Sequence, residues 1–374
     1  MLKRVLKILI LILIIIIPFK LINGQDTTSY MTNWSISPSL KYDALCFLNI
    51  MTAESFYLTY YNNEYDKFKD KLTDNVKLAL ADLKKNVKDE HGNIISASLC
   101  LYFSAVEDST LEQMLSRLDN LDELKKNFSK TPYYDEEGWK LFESTTADLK
   151  IILSFLISIN FEDYWKSEIL PLVQQKIAEI EHQLPKYDVI KEDETLLGFK
   201  LPSNTITIYL LYYSQPHGIK ITGTRFLTDI AWPFKIVLKN AVHEMMHPPY
   251  EIVNNLELRK EIKSLSNDEF LMDKVKNHNP SFGYNTLEGL IEEDCVQTME
   301  QLINEKFGVA TDAKKRWKES DDGIHVFAVA LYQIMKEENY NEKREVFSDF
   351  LIRMIKSGKL GAGNIKTLYD NFYK

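Results

Sequence analysis

His243-Glu244-Met245-Met246-His247 closes an apolar stretch, and this placement constrains the chain more than any other feature. On a helix, residues i and i+4 share a face one turn apart, so the two imidazoles would point at a common position. The preceding residues Ile236, Val237, Leu238, Ala241, Val242, Met245 and Met246 are interrupted only by Lys235, Lys239 and Asn240. That pattern predicts a helix buried on most sides. It should start near Pro233, a residue suited to a first turn. It should stop at His247, because a residue followed by proline disfavours the helical conformation and Pro248-Pro249 come next. Buried imidazoles need partners for their ring nitrogens, which a metal ion and hydrogen-bonding groups behind it would supply. With seven histidines in 374 residues, such a pentapeptide arises by chance in about one chain in a hundred. Two packed core histidines are the competing reading, and the surrounding sequence has to decide.

The segment Thr205–Tyr213 is rich in β-branched and aromatic residues, Gln215-Pro216-His217-Gly218 reads as a turn, and Ile219–Phe226 alternates like a half-exposed strand. Leu196–Leu201 is a further strand candidate. A small sheet, including a hairpin, is therefore expected to lead into the motif helix. Upstream, from Pro38 to Leu184, the period is helical, as in Val76–Leu83 and Leu111–Leu124, with a helix start at Asp108-Ser109-Thr110 and boundaries near Pro132 and Pro171. The expected fold is α+β and predominantly helical. The expected divisions are a signal peptide over 1–24, a loose polar lead-in over 25–37, a helical region over 38–190 and a catalytic region over 191–374.

Lys3, Arg4 and Lys7 precede an apolar run from Ile8 to Phe19, and Gly24-Gln25 is a plausible cleavage point. The run is shorter than the ~20 residues that span a bilayer. An exported protein, periplasmic or secreted, without stable membrane insertion after cleavage is expected. Cleavage would leave 41 basic against 54 acidic residues. That balance disfavours nucleic acid as a partner, since binding it requires a basic face. Cys46, Cys100 and Cys295 are far apart in sequence, and Cys46 and Cys100 lie in apolar runs, so burial is expected rather than a disulfide framework or a thiolate metal site.

A catalytic zinc usually takes three protein ligands and keeps one position open. Tyr250 and Val253 stand where a glycine and a third histidine would follow the motif in HExxHxxGxxH, which excludes that arrangement. A glutamate on a later helix is the alternative. The helix opened by Tyr284-Asn285-Thr286-Leu287 and running to about Phe307 places Glu288, Glu292, Cys295, Met299, Leu302 and Ile303 on one face at 100° per residue, with Glu293, Asp294 and Glu300 elsewhere. Carboxylates continuing an apolar stripe are expected to meet a cation or strong donors. Glu288 is then the expected third ligand and Glu292 the group orienting a histidine, with Glu292 and His278 as rival ligands. An acidic helix N-terminus, favoured by the helix dipole, would also account for the cluster.

These residues resemble the gluzincins, the zinc peptidases that include thermolysin-like enzymes and alanyl-type aminopeptidases. The resemblance covers about 205–305, rests on His243, Glu244, His247, Glu288-Gly289 and Glu292, and implies a zincin-like core. It implies a Zn²⁺ ion held by His243, His247 and Glu288, with Glu244 as general base in hydrolysis of a peptide or protein substrate. No Gly-x-Met-Glu-Asn motif supports aminopeptidase activity. Tyr250, Tyr284 and His325 are candidates by type for stabilising an oxyanion, although His325 also fits a packed helix start. Two alternatives stand beside this reading. One is a catalytically inactive zincin-fold protein whose helical region binds a protein or glycan partner. The other is hydrolysis of a non-peptide amide or ester.

Overall fold

The computed structural model describes residues 32–374 apart from 253, 280, 281, 283 and 341–343; the expected leader over 1–24 lies outside them. Strands β1 (Asn33–Pro38), β2 (Thr205–Leu211), β3 (Ile219–Ile221) and β4 (Arg225–Asp229) form one sheet in the order β1-β2-β4-β3. β1 runs parallel to β2 with Ile36 opposite Ile208, and β2 runs parallel to β4 with Ile208 opposite Phe226. β3 closes the edge antiparallel to β4, pairing Ile219 with Leu227. The chain is α+β and mostly helical.

Three sequence expectations change here. The polar lead-in over 25–37 is not loose throughout, because Trp34 and Ile36 alternate with Ser35 and Ser37 and pair with β2, about 170 residues away. The alternating run Ile219–Phe226 is two strands, folded back at Thr222-Gly223-Thr224, with Gly223 at φ 71°. Leu196–Leu201 is no strand; Leu196 and Leu197 end the helix Val189–Leu197, which Gly198 stops in the left-handed region.

Ten α-helices separate β1 from β2. The longest, Glu136–Ser158, starts where Asp135 accepts the Gly138 N–H and buries Trp139, Phe142, Leu149, Leu153 and Leu156. Thr110 and Gln113 form a capping box at Leu111, but the helical stretch expected to Leu124 divides into Leu111–Arg117 and Asp122–Phe128. The motif helix, Phe234–Met245, follows β4 after a short turn and packs on β2, β3 and β4. The helix Leu287–Phe307, here the acidic helix, packs against it.

One hydrophobic core takes in residues from both sides of the expected boundary at 190/191, among them Phe47, Leu153, Ile208, Val242 and Val296. Buried Asp43 reinforces this junction: its Oδ1 accepts the N–H groups of Tyr212 and Tyr213, and its Oδ2 accepts the indole N–H of Trp165. Cys46, Cys100 and Cys295 are buried free thiols. Among the described residues no helix is long and apolar enough to cross a membrane.

Gly198 is a point where the chain tolerates no side chain. Its φ is 75°, and an added Cβ would lie 2.5 Å from the Glu345 carbonyl oxygen and 2.7 Å from the Val346 Cα. Both obstacles are backbone. Gly198→Ala should therefore cost more than the ~1 kcal/mol of left-handed strain alone, read as a lower denaturant midpoint at unchanged slope. An unchanged midpoint would contradict the packing described.

Candidate metal centre

The motif helix ends in a turn that His247 enters, keeping His243 and His247 on one side. Their Nε2 atoms stand 3.1 Å apart. The carboxylate of Glu293, on the acidic helix, faces both, with Oε1 3.7 Å from His243 Nε2 and Oε2 3.5 Å from His247 Nε2. Behind this group, Glu300 Oε2 lies 3.2 Å from His243 Nδ1 and Glu292 Oε1 lies 3.4 Å from His247 Nδ1. An ionised carboxylate only accepts hydrogen bonds, so each Nδ1 is the protonated nitrogen and each Nε2 is turned inward. Two inward Nε2 atoms facing a carboxylate need positive charge between them, either protons or a cation. Ligands 2.0–2.1 Å from a tetrahedral ion stand about 3.3 Å from one another, close to the spacings here. Among the described residues, His243, His247 and Glu293 form a group whose ligand atoms all lie within 4.8 Å. The donor set fits a divalent metal.

The electrostatics agree. Burial works against charge on His247, yet Glu292 and Glu293 hold it up at about 10. Burial also works against ionised Glu293, but His243 and His247 keep its carboxyl well below the usual range. Glu300 is held low against burial by Arg316 and His243. Arg316 donates to it through Nη2 at 2.5 Å and Nη1 at 3.0 Å, and Asn304 Nδ2 donates at 2.7 Å. Arg316 thus fixes the carboxylate that fixes His243. Glu300→Gln should lower affinity for the metal by about 10–100-fold, measured by competition with a chromophoric chelator; unchanged affinity would detach Glu300 from the site.

Glu288 does not join the group. It is exposed in the first turn of the acidic helix, two residues after the Thr286 cap, and Glu293 occupies the place expected for it. The physical reason is burial on nearly every side: Glu293 through Gln301 are all buried. The apolar stripe marks the face turned to the core, whereas the histidines face Glu293 and Glu300, which lie on the stripe Glu293, Gln297, Glu300 and Asn304. That 4-3-4 spacing of polar residues on a buried helix was the available signal. His278 lies outside the group, its Nδ1 near the carbonyls of Lys274 and Val275.

Glu244 is 8 % exposed. The main chain of Gly218, next to edge strand β3, closes over it: a Cβ on Gly218 would lie 3.1 Å from Glu244 Oε1 and 3.2 Å from Asn240 Nδ2. Lys220 on β3 is pushed down to about 8 by burial, against the pull of Glu244 and Asp193. Tyr133, just before the long helix, donates its hydroxyl to the His247 carbonyl at 3.2 Å. The helical region therefore contributes directly to this wall of the site.

Of the candidate oxyanion donors, His325 is committed elsewhere, with Nδ1 2.6 Å from Asp294 Oδ1 and Nε2 2.9 Å from Asp321 Oδ2. Tyr250 is buried beside Phe347. Tyr284 has φ 59°. Burial raises its hydroxyl well above the usual range, and the negative fields of Glu293 and Glu244 add to that.

The chain matches no protein-family profile, no curated protein and no solved structure.

Proposed function

We propose that this protein is an exported zinc-dependent peptidase with a zincin-like core, in which His243, His247 and Glu293 hold the ion and Glu244 is the general base. The observation that carries the reading is the pair of inward Nε2 atoms facing Glu293 at 3.5 and 3.7 Å, with a carboxylate behind each ring. A structural metal site requires no carboxylate at the position of Glu244, which favours catalysis over a purely binding role. When bound, zinc would supply Lewis acidity toward a carbonyl oxygen and toward water.

The remaining work falls to the chain. Glu244 accepts the proton of the attacking water and passes it to the departing nitrogen, so the amine leaves neutral. Its low exposure keeps bulk water from competing for that proton. β3 is the outermost strand of the sheet, beside Gly218, the position at which an extended peptide would add as a further strand. Tyr284, whose hydroxyl lies in the fields of Glu293 and Glu244, is the candidate donor to a developing oxyanion, since the Tyr133 hydroxyl already donates to the His247 carbonyl.

The test compares wild type with Glu244→Gln for bound zinc and for cleavage of a mixed peptide library. One zinc per chain in both proteins, with cleavage in the variant reduced by at least about 10²-fold, is the expected result. Wild type without stoichiometric zinc, or a variant of full activity, would overturn the proposal. Zinc retained with ester but no peptide cleavage would move the substrate class.

A further inference from the structure

A cleft of about 370 Å³ shares no lining residue with the histidine group; Tyr60, Tyr61, Tyr212, Glu64, Gln215 and Asp229 are among its walls. It sits just past the carboxyl ends of the parallel strands β2 and β4, lined by Tyr212 and by Asp229–Ala231. In open α/β sheets, ligands bind outside the carboxyl ends of parallel strands.

Its chemistry is specific. Tyr60 and Tyr61 have ring centroids 6.3 Å apart, and Tyr61 and Tyr212 are separated by the same distance, so three rings meet at the cleft. Tyr60 is 42 % exposed, which keeps one wall open. At the floor, Asp229 is 2 % exposed. Its Oδ2 accepts the Tyr61 hydroxyl at 2.9 Å and the N–H groups of Ser214 and Gln215 at 3.1 and 3.0 Å, and its Oδ1 accepts the Ala231 N–H at 2.8 Å. Those donors orient a carboxylate, but none is a cation. Among the described residues no basic side chain forms an ion pair with Asp229, and the lining residue Glu64 is paired with Lys67. A buried anion without a counter-charge is costly, and aromatic faces attract cations.

We propose that this cleft binds an organic ammonium cation, with the tyrosine faces around the charge and Asp229 beneath it. Either a free small amine or a lysine side chain on a peptide would satisfy this chemistry. A neutral sugar or an anion would bring Asp229 no counter-charge.

Calorimetry on the full chain in chelator tests this independently of any metal chemistry. The probes are choline, its neutral carbon isostere 3,3-dimethyl-1-butanol, and a short peptide carrying lysine or norleucine at one position. Choline should bind at least tenfold tighter than the isostere, or the lysine peptide at least tenfold tighter than its norleucine twin. Which pair discriminates better identifies the source of the cation. Tyr60→Ala, an exposed position whose loss leaves the core intact, should weaken that binding at least fivefold. Equal affinity for charged and neutral probes, no binding by either charged probe, or undiminished binding by Tyr60→Ala would each overturn the proposal.

Discussion

Glu293→Gln should abolish retention of the metal, while Glu288→Gln should leave it unchanged. Glu293 is the carboxylate that faces both Nε2 atoms, and a glutamine there keeps the shape but removes the charge that balances a divalent ion. The remaining two imidazoles would bind with affinity lower by well over the ~10–100-fold expected for a group that only orients a ligand. Glu288 is solvent-exposed on the first turn, so its neutralisation touches only the helix dipole, worth about 0.3–1 kcal/mol. Metal per chain after dialysis against a weak chelator distinguishes the two. Loss in Glu288→Gln with retention in Glu293→Gln would reverse the assignment made from geometry. Loss in both would implicate the acidic helix as a whole. Cleavage should follow the metal content, because Glu244 lacks a polarised target without it.

The motif helix was legible because its information is local. Apolar residues at helical spacing, Pro233 at one end and Pro248-Pro249 at the other bracket Phe234–Met245 to within two residues. The acidic helix was legible in the same way at its end, Phe307, whereas its expected opening at Tyr284 lies three residues before the observed start at Leu287. What could not be read was rotation. A helix wheel assigns a core face by apolarity, and that rule fails for a helix surrounded by protein on nearly all sides, where Glu293 and Glu300 are buried along with Val296 and Met299. Strand β1 was illegible for another reason: Asn33–Pro38 is polar by composition and becomes a strand only because β2, far along the chain, offers a free edge. Tyr133 belongs to the same class, since nothing near it in sequence points to His247. Long-range pairing overrides local pattern at both places.

Asp294→Leu should destabilise the fold by about 3–5 kcal/mol, the cost of breaking a buried charged pair. Asp294 is fully buried on the acidic helix. Its Oδ1 lies 2.6 Å from His325 Nδ1, and its Oδ2 accepts the N–H groups of Phe327 and Ala328 at 3.0 Å each. One carboxylate therefore serves the imidazole and the start of the helix Val326–Glu337. Leucine fits the volume but strands three donors in the interior. Asp294→Asn keeps one acceptor and should lose less. Denaturant unfolding in chelator holds the metal contribution constant between proteins. The effect also has a pH signature. Burial would lower His325, but Asp294 and Asp321 hold it up at about 10, against ~6.5 in an unfolded chain. A raised histidine contributes stability that is fully present below about pH 6.5 and is lost as the pH climbs toward 10. The gap between wild type and Asp294→Leu should narrow across that window. A gap independent of pH would mean that the carboxylate acts only as a helix cap and that His325 is neutral in the folded protein.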